Sequence, residues 1–216
     1  MERRATRGRA RPTDSTQDTT ACTLSFALAF LAAHPDVQAR LREEIRANIP
    51  VSDPAKGVRV LKYDDLQTKS LPVLRGVLME ALRLAPPVPV DTKMAAVDSV
   101  LPGGFRVLKG TRVAYEPYVM GRDETVWGPD AARFRPERWA ARALPSAYDF
   151  PVFQAGPRVC LGEAMAKYEA QLVIAAVVDR FEFRLPRAWA HWAGEYHFGI
   201  TISVRGADVL EVSRAA

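Results

Sequence analysis

The sequence predicts a mainly α-helical fold with small β-sheets, and three observations carry that expectation. Apolar residues recur at helical spacing in separate stretches: Leu24, Leu28 and Leu31; Val37, Leu41, Ile45 and Ile49; Leu74, Leu78 and Leu82. Strand signals are few and short, and they sit beside turns bearing glycine. The longest segment between periodic stretches is rich in proline and arginine.

Taken in order, the first helix carries the Leu24, Leu28 and Leu31 stripe and ends near His34. Pro35 suits the first turn of a second helix, which places Arg40, Arg42, Glu43, Glu44 and Arg46 mostly outward. Val51 to Lys62 holds two breakers and reads as a surface loop. A helix over Leu71–Leu84 stops at Pro86-Pro87, because proline cannot continue it. Strand signals follow around Lys93–Ala96 and Arg112–Tyr115, with a turn at Pro102-Gly103-Gly104. Tyr118 to Phe150 is expected to wrap the core irregularly. A last long helix runs from about Leu161 to Phe181. Gly199–Val204 and Val209–Ser213, flanking Arg205-Gly206-Ala207-Asp208, read as a hairpin.

With 216 residues, 48% of them hydrophobic, the chain can bury one core. Its formal charge of +5 is misleading. Five arginines against Glu2 put +4 into the first eleven residues, which leaves +1 for the remainder. This tail has no aromatic interleaving and no base-reading motif, so no nucleic-acid function is expected. Its Arg-rich, acid-poor character also resembles a transit peptide, although it meets the first helix with almost no spacer. Two cysteines and three histidines argue against a structural zinc site. A Cys22–Cys160 disulfide is formally open, but nothing indicates a disulfide-dependent scaffold. The longest uncharged run, Thr19 to Pro35, is nearer a buried core helix than a spanning one, so no membrane span is expected.

The chemistry concentrates in Phe153-Gln154-Ala155-Gly156-Pro157-Arg158-Val159-Cys160-Leu161-Gly162. One cysteine stands between two glycines, beside an arginine, at the mouth of an apolar helix. A thiolate bound to heme iron gives each residue a task. Gly156 and Gly162 let the backbone approach a flat macrocycle. Arg158 can fork onto a propionate, and Phe153 can shield the sulfur from water. The helix start favours a thiolate over a thiol. A lone cysteine in such a loop can equally be a small apolar residue. Glu80 and Arg83, three apart on a helix opposite the leucine stripe, suit a solvated surface pair, yet Val73 and Gly76 share their face. Asp18-Thr19-Thr20 reads either as a helix start with a capping aspartate or as an acid–alcohol pair relaying protons.

The cysteine decapeptide, Glu80 with Arg83, and Phe134-Arg135-Pro136-Glu137-Arg138-Trp139, in this order, resemble the cytochrome P450 superfamily of heme-thiolate monooxygenases. Gln154 departs from the strictest form of the cysteine signature, where a small or polar residue is more usual. The resemblance runs from about Asp18 to the C-terminus and implies the C-terminal portion of that fold. Residues 1–17 are then a basic tail foreign to the fold, and 18–216 part of a single heme-thiolate domain. Finer resemblance, through Gln17–His34, Pro89–Lys93, Val100–Gly110, Thr111–Val113 to Met120–Arg122, Val126–Asp130 and Phe134–Trp139, points to the fatty-acid ω-hydroxylase branch.

The resemblance implies heme b (iron protoporphyrin IX) bound by Cys160 as the iron ligand, with electrons from NADPH through a cytochrome reductase or other donor. A propionate cation is implied at Lys93 and proton relay at Asp18 and Thr19. Glu80, Arg83 and Arg138 become a buried triad that holds the cysteine loop. Val88, Val90, Ile200 and Thr201 become the lining of a lipid-substrate pocket. An endoplasmic reticulum membrane location is implied for the full-length family, with O2 and a lipid as co-substrates. Two alternatives stay open: a lipid-hydroperoxide isomerase or dehydratase of the same fold, and a non-catalytic truncated product.

Overall fold

A computed structural model describes residues 15–53, 55, 59–67, 70–141, 145–186, 196–197, 199, 201–204 and 210–215, the side chains of 15–17, 67, 141, 196–197 and 204 excepted. Most of the basic tail, the Arg205–Asp208 turn and Ile200 lie outside the described residues.

The core is built on helix α1 (Ser15–Ala33), which packs against α4 (Pro72–Leu84) and α8 (Glu163–Arg180). Phe26, Ala27 and Leu31 are fully buried, and from Phe26 to Ala32 apolar side chains cover α1 on nearly every side, as a helix end enclosed in the core requires. At His34 the chain bends by 110° into α2 (Pro35–Asn48), with Pro35 in the first turn, where its missing N–H costs nothing. Val37, Leu41 and Ile45 face the core as their spacing predicts. Gln38 joins them, although it is polar. Its amide donates to the Leu31 and Phe183 carbonyls and accepts from the Phe183 amide, so no buried polar atom is orphaned.

Two residues expected outward on α2 turn inward instead. Both carboxylate oxygens of Glu44 accept from the Val73 and Leu74 amides, at 2.7 and 2.9 Å. They cap α4 from another helix, because Leu71 at its N-cap has no side chain able to do so. Arg42 donates to the Val178 and Phe181 carbonyls at the end of α8. Free helix ends, rather than helix faces, drew these charges in.

The described sheets are two-stranded and antiparallel. β1 (Asp91–Met94) pairs with β4 (Arg112–Tyr115), and β2 (Ser99–Leu101) with β3 (Phe105–Val107) around the predicted turn. Gly103 and Gly104 there adopt φ of +85° and +84°, the left-handed region that glycine enters freely. Among the described residues the two C-terminal runs do not pair with each other, and the turn expected between them lies outside those residues. β7 (Ser203–Val204) pairs with β6 (Tyr196–His197), and β8 (Glu211–Arg214) runs antiparallel to β5 (Phe181–Arg184). The reason is tertiary: β5 leaves α8 directly and is pinned through Phe183 to Gln38, so it offers β8 a fixed edge.

α3 (Tyr63–Gln67) lies beside α8. The described residues of 118–150 form the expected irregular wrap, carrying among them only short helices: the end of α5 (Pro117–Met120), α6 (Glu124–Trp127) and α7 (Arg138–Ala141).

Candidate functional site

The wrap is fastened to α4 by one buried ionic group. Glu80 and Arg83 are fully buried and Arg138 is 3% exposed. One helical turn apart, Arg83 meets Glu80 through two hydrogen bonds, Nε to Oε2 at 2.9 Å and Nη2 to Oε1 at 2.6 Å. The remaining Arg83 donors reach the carbonyls of Gly121, Ala131 and Arg133. Glu80 also accepts from Arg138 Nε, the Arg135 amide and the Trp139 indole. Arg138 in turn donates to the Trp127 carbonyl and to Asp130. The surface-pair alternative is therefore excluded: the wrap covers this face, and its carbonyls satisfy the guanidinium.

The Arg138 guanidinium holds the Asp130 carboxyl below the usual aspartate range. A carboxyl depressed in the folded state stabilises above its unfolded pKa and loses that contribution as pH falls through the folded value. Asp130→Asn is therefore expected to lower thermal stability at neutral pH and to flatten its decline under acid. Melting curves collected across the acid range check this. An unchanged acid slope would exclude the link.

Three aromatic rings carry the lock to the cysteine loop. Trp139 and Trp127 lie 5.3 and 5.9 Å from the Phe150 ring, centroid to centroid. Phe150 immediately precedes the Pro151–Phe153 turn. The Phe153 carbonyl then accepts from the Cys160 amide at 2.8 Å, closing the loop upon itself. Cys160 is exposed, and its loop borders a largely apolar cleft of about 190 Å³. Thr19, Thr20 and Thr23 of α1 line the same cleft, with Val88 and Phe153.

The structure thus brings Cys160, Thr19, Val88, Phe153 and Gly162 to one space and leaves other candidates elsewhere. Asp18 is exposed and outside the lining, so Thr19 stands at the cleft without its neighbour. Arg158 is also exposed and away from it. Val90 is exposed, and Thr201 is half-buried outside the lining. Lys93 bonds Gln154 Oε1 at 2.5 Å. Gly156 takes φ +71°, and a Cβ on Gly162 would sit 3.9 Å from the Cys160 sulfur. Lys167 lies over the Phe153 ring at 5.1 Å. Cys22 is no rival ligand: burial pushes its thiol up to about 12, and its Sγ donates to the Ile202 carbonyl.

Sequence reading missed Thr23 and gave no role of their own to Trp127, Trp139 and Asp130. Thr23 was legible from helical spacing, since it stands four residues from Thr19. The others became visible only once the wrap was folded against α4.

The helical core thus presents one exposed cysteine from a glycine-bearing loop at the start of a long helix. The cytochrome P450 family model matches residues 15–192, and the chain belongs to that family. It is 40% identical over 206 residues to Cytochrome P450 94A2 of Vicia sativa, covering 92% of this chain and 38% of that protein. It is 37% identical to Cytochrome P450 94C1 of Arabidopsis thaliana, covering 88% and 38%. It is 41% identical to Cytochrome P450 monooxygenase sphH of Aspergillus fumigatus, covering 78% and 31%. The chain therefore spans less than two fifths of the length of these relatives.

The residues present fit a heme. Cys160 would supply one soft thiolate ligand to a heme iron, whose remaining protein-independent ligands the macrocycle itself brings. Among the described residues no cluster of three or more His, Cys, Asp or Glu could hold a bare metal ion. The missing Cβ of Gly162 leaves room beside the sulfur, and the cleft wall is mainly apolar. No helix among the described residues is by itself long and apolar enough to cross a membrane.

Proposed function

We propose that this chain is the cysteine-bearing part of a heme-thiolate monooxygenase, inserting one oxygen atom of O2 into a C–H bond of a fatty acid or similar alkyl chain at or near its ω end. One observation carries the reading: Cys160 and the α1 threonines border the same largely apolar cleft. Heme b held there would supply the activation of dioxygen, with electrons passed from NADPH by a cytochrome reductase.

The chain's own residues divide the remaining work. Cys160 donates electron density from its sulfur, and the Phe153 carbonyl fixes its backbone. Phe153 and Val152 add apolar surface to the cleft that Cys160 borders. Val88, from the segment after α4, offers apolar surface to an alkyl chain. Thr19 holds a hydroxyl at the cleft and can pass a proton across it. Asp18 is exposed, so proton supply to Thr19 would come from solvent through the aspartate. The family resemblance points to the endoplasmic reticulum membrane as the place of the family's full-length members. The Thr19 hydroxyl favours oxygen insertion over hydroperoxide isomerisation, which needs no protons delivered to O2.

Hemin titration of the full chain tests the reading. The wild type is expected to bind hemin and, when reduced under carbon monoxide, to give the long-wavelength Soret band of a thiolate ligand. Cys160→Ser loses that band. An identical spectrum from Cys160→Ser would remove the assignment. In the reconstituted full-length enzyme, Thr19→Ala should retain the band while releasing peroxide in place of product. Tight coupling in that variant would refute the relay.

A further inference from the structure

Gln154 is the one described non-glycine residue with positive φ. Its φ of 65° and ψ of −178° fall in a region that is essentially reserved for glycine. Such a conformation costs about 1–3 kcal/mol and persists only where its surroundings enforce it. Gln154 follows Phe153, whose carbonyl holds the Cys160 amide, so any relaxation there displaces the cysteine loop.

A side-chain contact reaches Gln154 from the β1–β4 ladder. Lys93 Nζ donates to Gln154 Oε1, 61 residues away in sequence. Lys93 is itself placed by Asp91, 3.9 Å from its ammonium, and by the Tyr115 ring, 6.0 Å away. Tyr115 donates its hydroxyl to Asp91 Oδ2 at 2.7 Å. Burial and the Asp91 carboxylate push that phenol up to about 12, so it stays a donor at neutral pH.

We propose that Lys93 and Gln154 form a latch that positions the cysteine loop: the ammonium grips the Gln154 side chain and holds a glycine-only backbone conformation closed around Cys160. Lys93 and Gln154 are positioning residues, acting on Cys160 through the Phe153 carbonyl. The latch also ties the ligand loop to β1, the strand reached from Val88 on the cleft wall. Its value to catalysis rests on the heme-thiolate reading, whereas its existence does not.

The test is hydrogen exchange at the Cys160 amide in the heme-free full chain, read by NMR. Lys93→Met leaves the Gln154 strain unopposed and is expected to speed exchange roughly tenfold, equivalent to about 1.4 kcal/mol of local stability. Gln154→Gly removes the strain and should exchange at close to the wild-type rate. The double variant Lys93→Met/Gln154→Gly should match Gln154→Gly alone, because the lysine matters only while Gln154 is strained. Amides of Leu41 and Leu78 should not change in any variant. An unaltered rate in Lys93→Met overturns the latch, as does an equal effect of Lys93→Met in the Gln154→Gly background. Acceleration spread equally to Leu41 and Leu78 overturns it too. Because no heme is present, failure of hemin binding and failure of the latch are read separately.

Discussion

Glu80→Ala should cost the folded protein about 3–5 kcal/mol, the penalty for leaving buried charge uncompensated. Arg83 and Arg138 share that single carboxylate, and neither can reach water: they are 0% and 3% exposed. The Trp139 indole and the Arg135 amide lose their acceptor in the same stroke. Typical domains hold only about 5–15 kcal/mol in total, so this one change removes a large part of it. Urea unfolding checks the value. Glu80→Gln keeps an acceptor for some of these donors without the charge, and it should fall between wild type and alanine. Because the loss passes along Trp139 and Phe150, hemin binding should fail together with the fold. An alanine variant that unfolds within about 1 kcal/mol of wild type would show that the lock is not structural.

Gly76→Ala is the second expected large effect, and here two opposed terms must be weighed. Gly76 lies inside α4, where alanine normally gains about 1 kcal/mol of helix propensity. A Cβ there would stand 2.5 Å from the Pro136 carbonyl oxygen, closer than side-chain carbons ever come to backbone. Overpacking of this kind costs about 1–3 kcal/mol, and here the neighbour is backbone that cannot swing aside. The clash wins. The variant should be destabilised and should loosen the wrap, with exchange rising first at the Trp139 and Ala140 amides, whose acceptors are Pro136 and Glu137. A stabilised variant would mean that the wrap moves freely off α4.

Much of the fold was legible because helical spacing and prolines act locally. Leu24 to Leu31, Val37 to Ile45 and Leu74 to Leu82 reported their buried faces, and Pro35 and Pro86 reported boundaries. Spacing made Glu80 and Arg83 legible as a pair, and only the family resemblance implied that the pair is buried with Arg138. An i,i+3 pair looks the same in sequence whether water or a wrap covers it, and that cover comes from residues 118–139. Glu44 was misread for the same reason. Its outward position on α2 was correct for an isolated helix, and only the uncapped start of α4 turned it inward.

The C-terminal strands mark a firmer boundary. Two extended runs around a Gly-containing turn satisfy the local rule for a hairpin, but β8 pairs with β5 instead, 27 residues or more away in sequence. Local rules rank turns; they do not rank competing edges. The sequence by itself determined the helices, their apolar faces, the cysteine loop and its kinship with the cytochrome P450 family, because each rests on neighbours a few residues apart. Only the tertiary structure decided that Glu80 is the anchor of the wrap, that Thr19 meets Cys160 across a cleft while Asp18 does not, and that Lys93 grips Gln154. Those depend on which distant surfaces are pressed together and on what burial then demands of the charges caught between them.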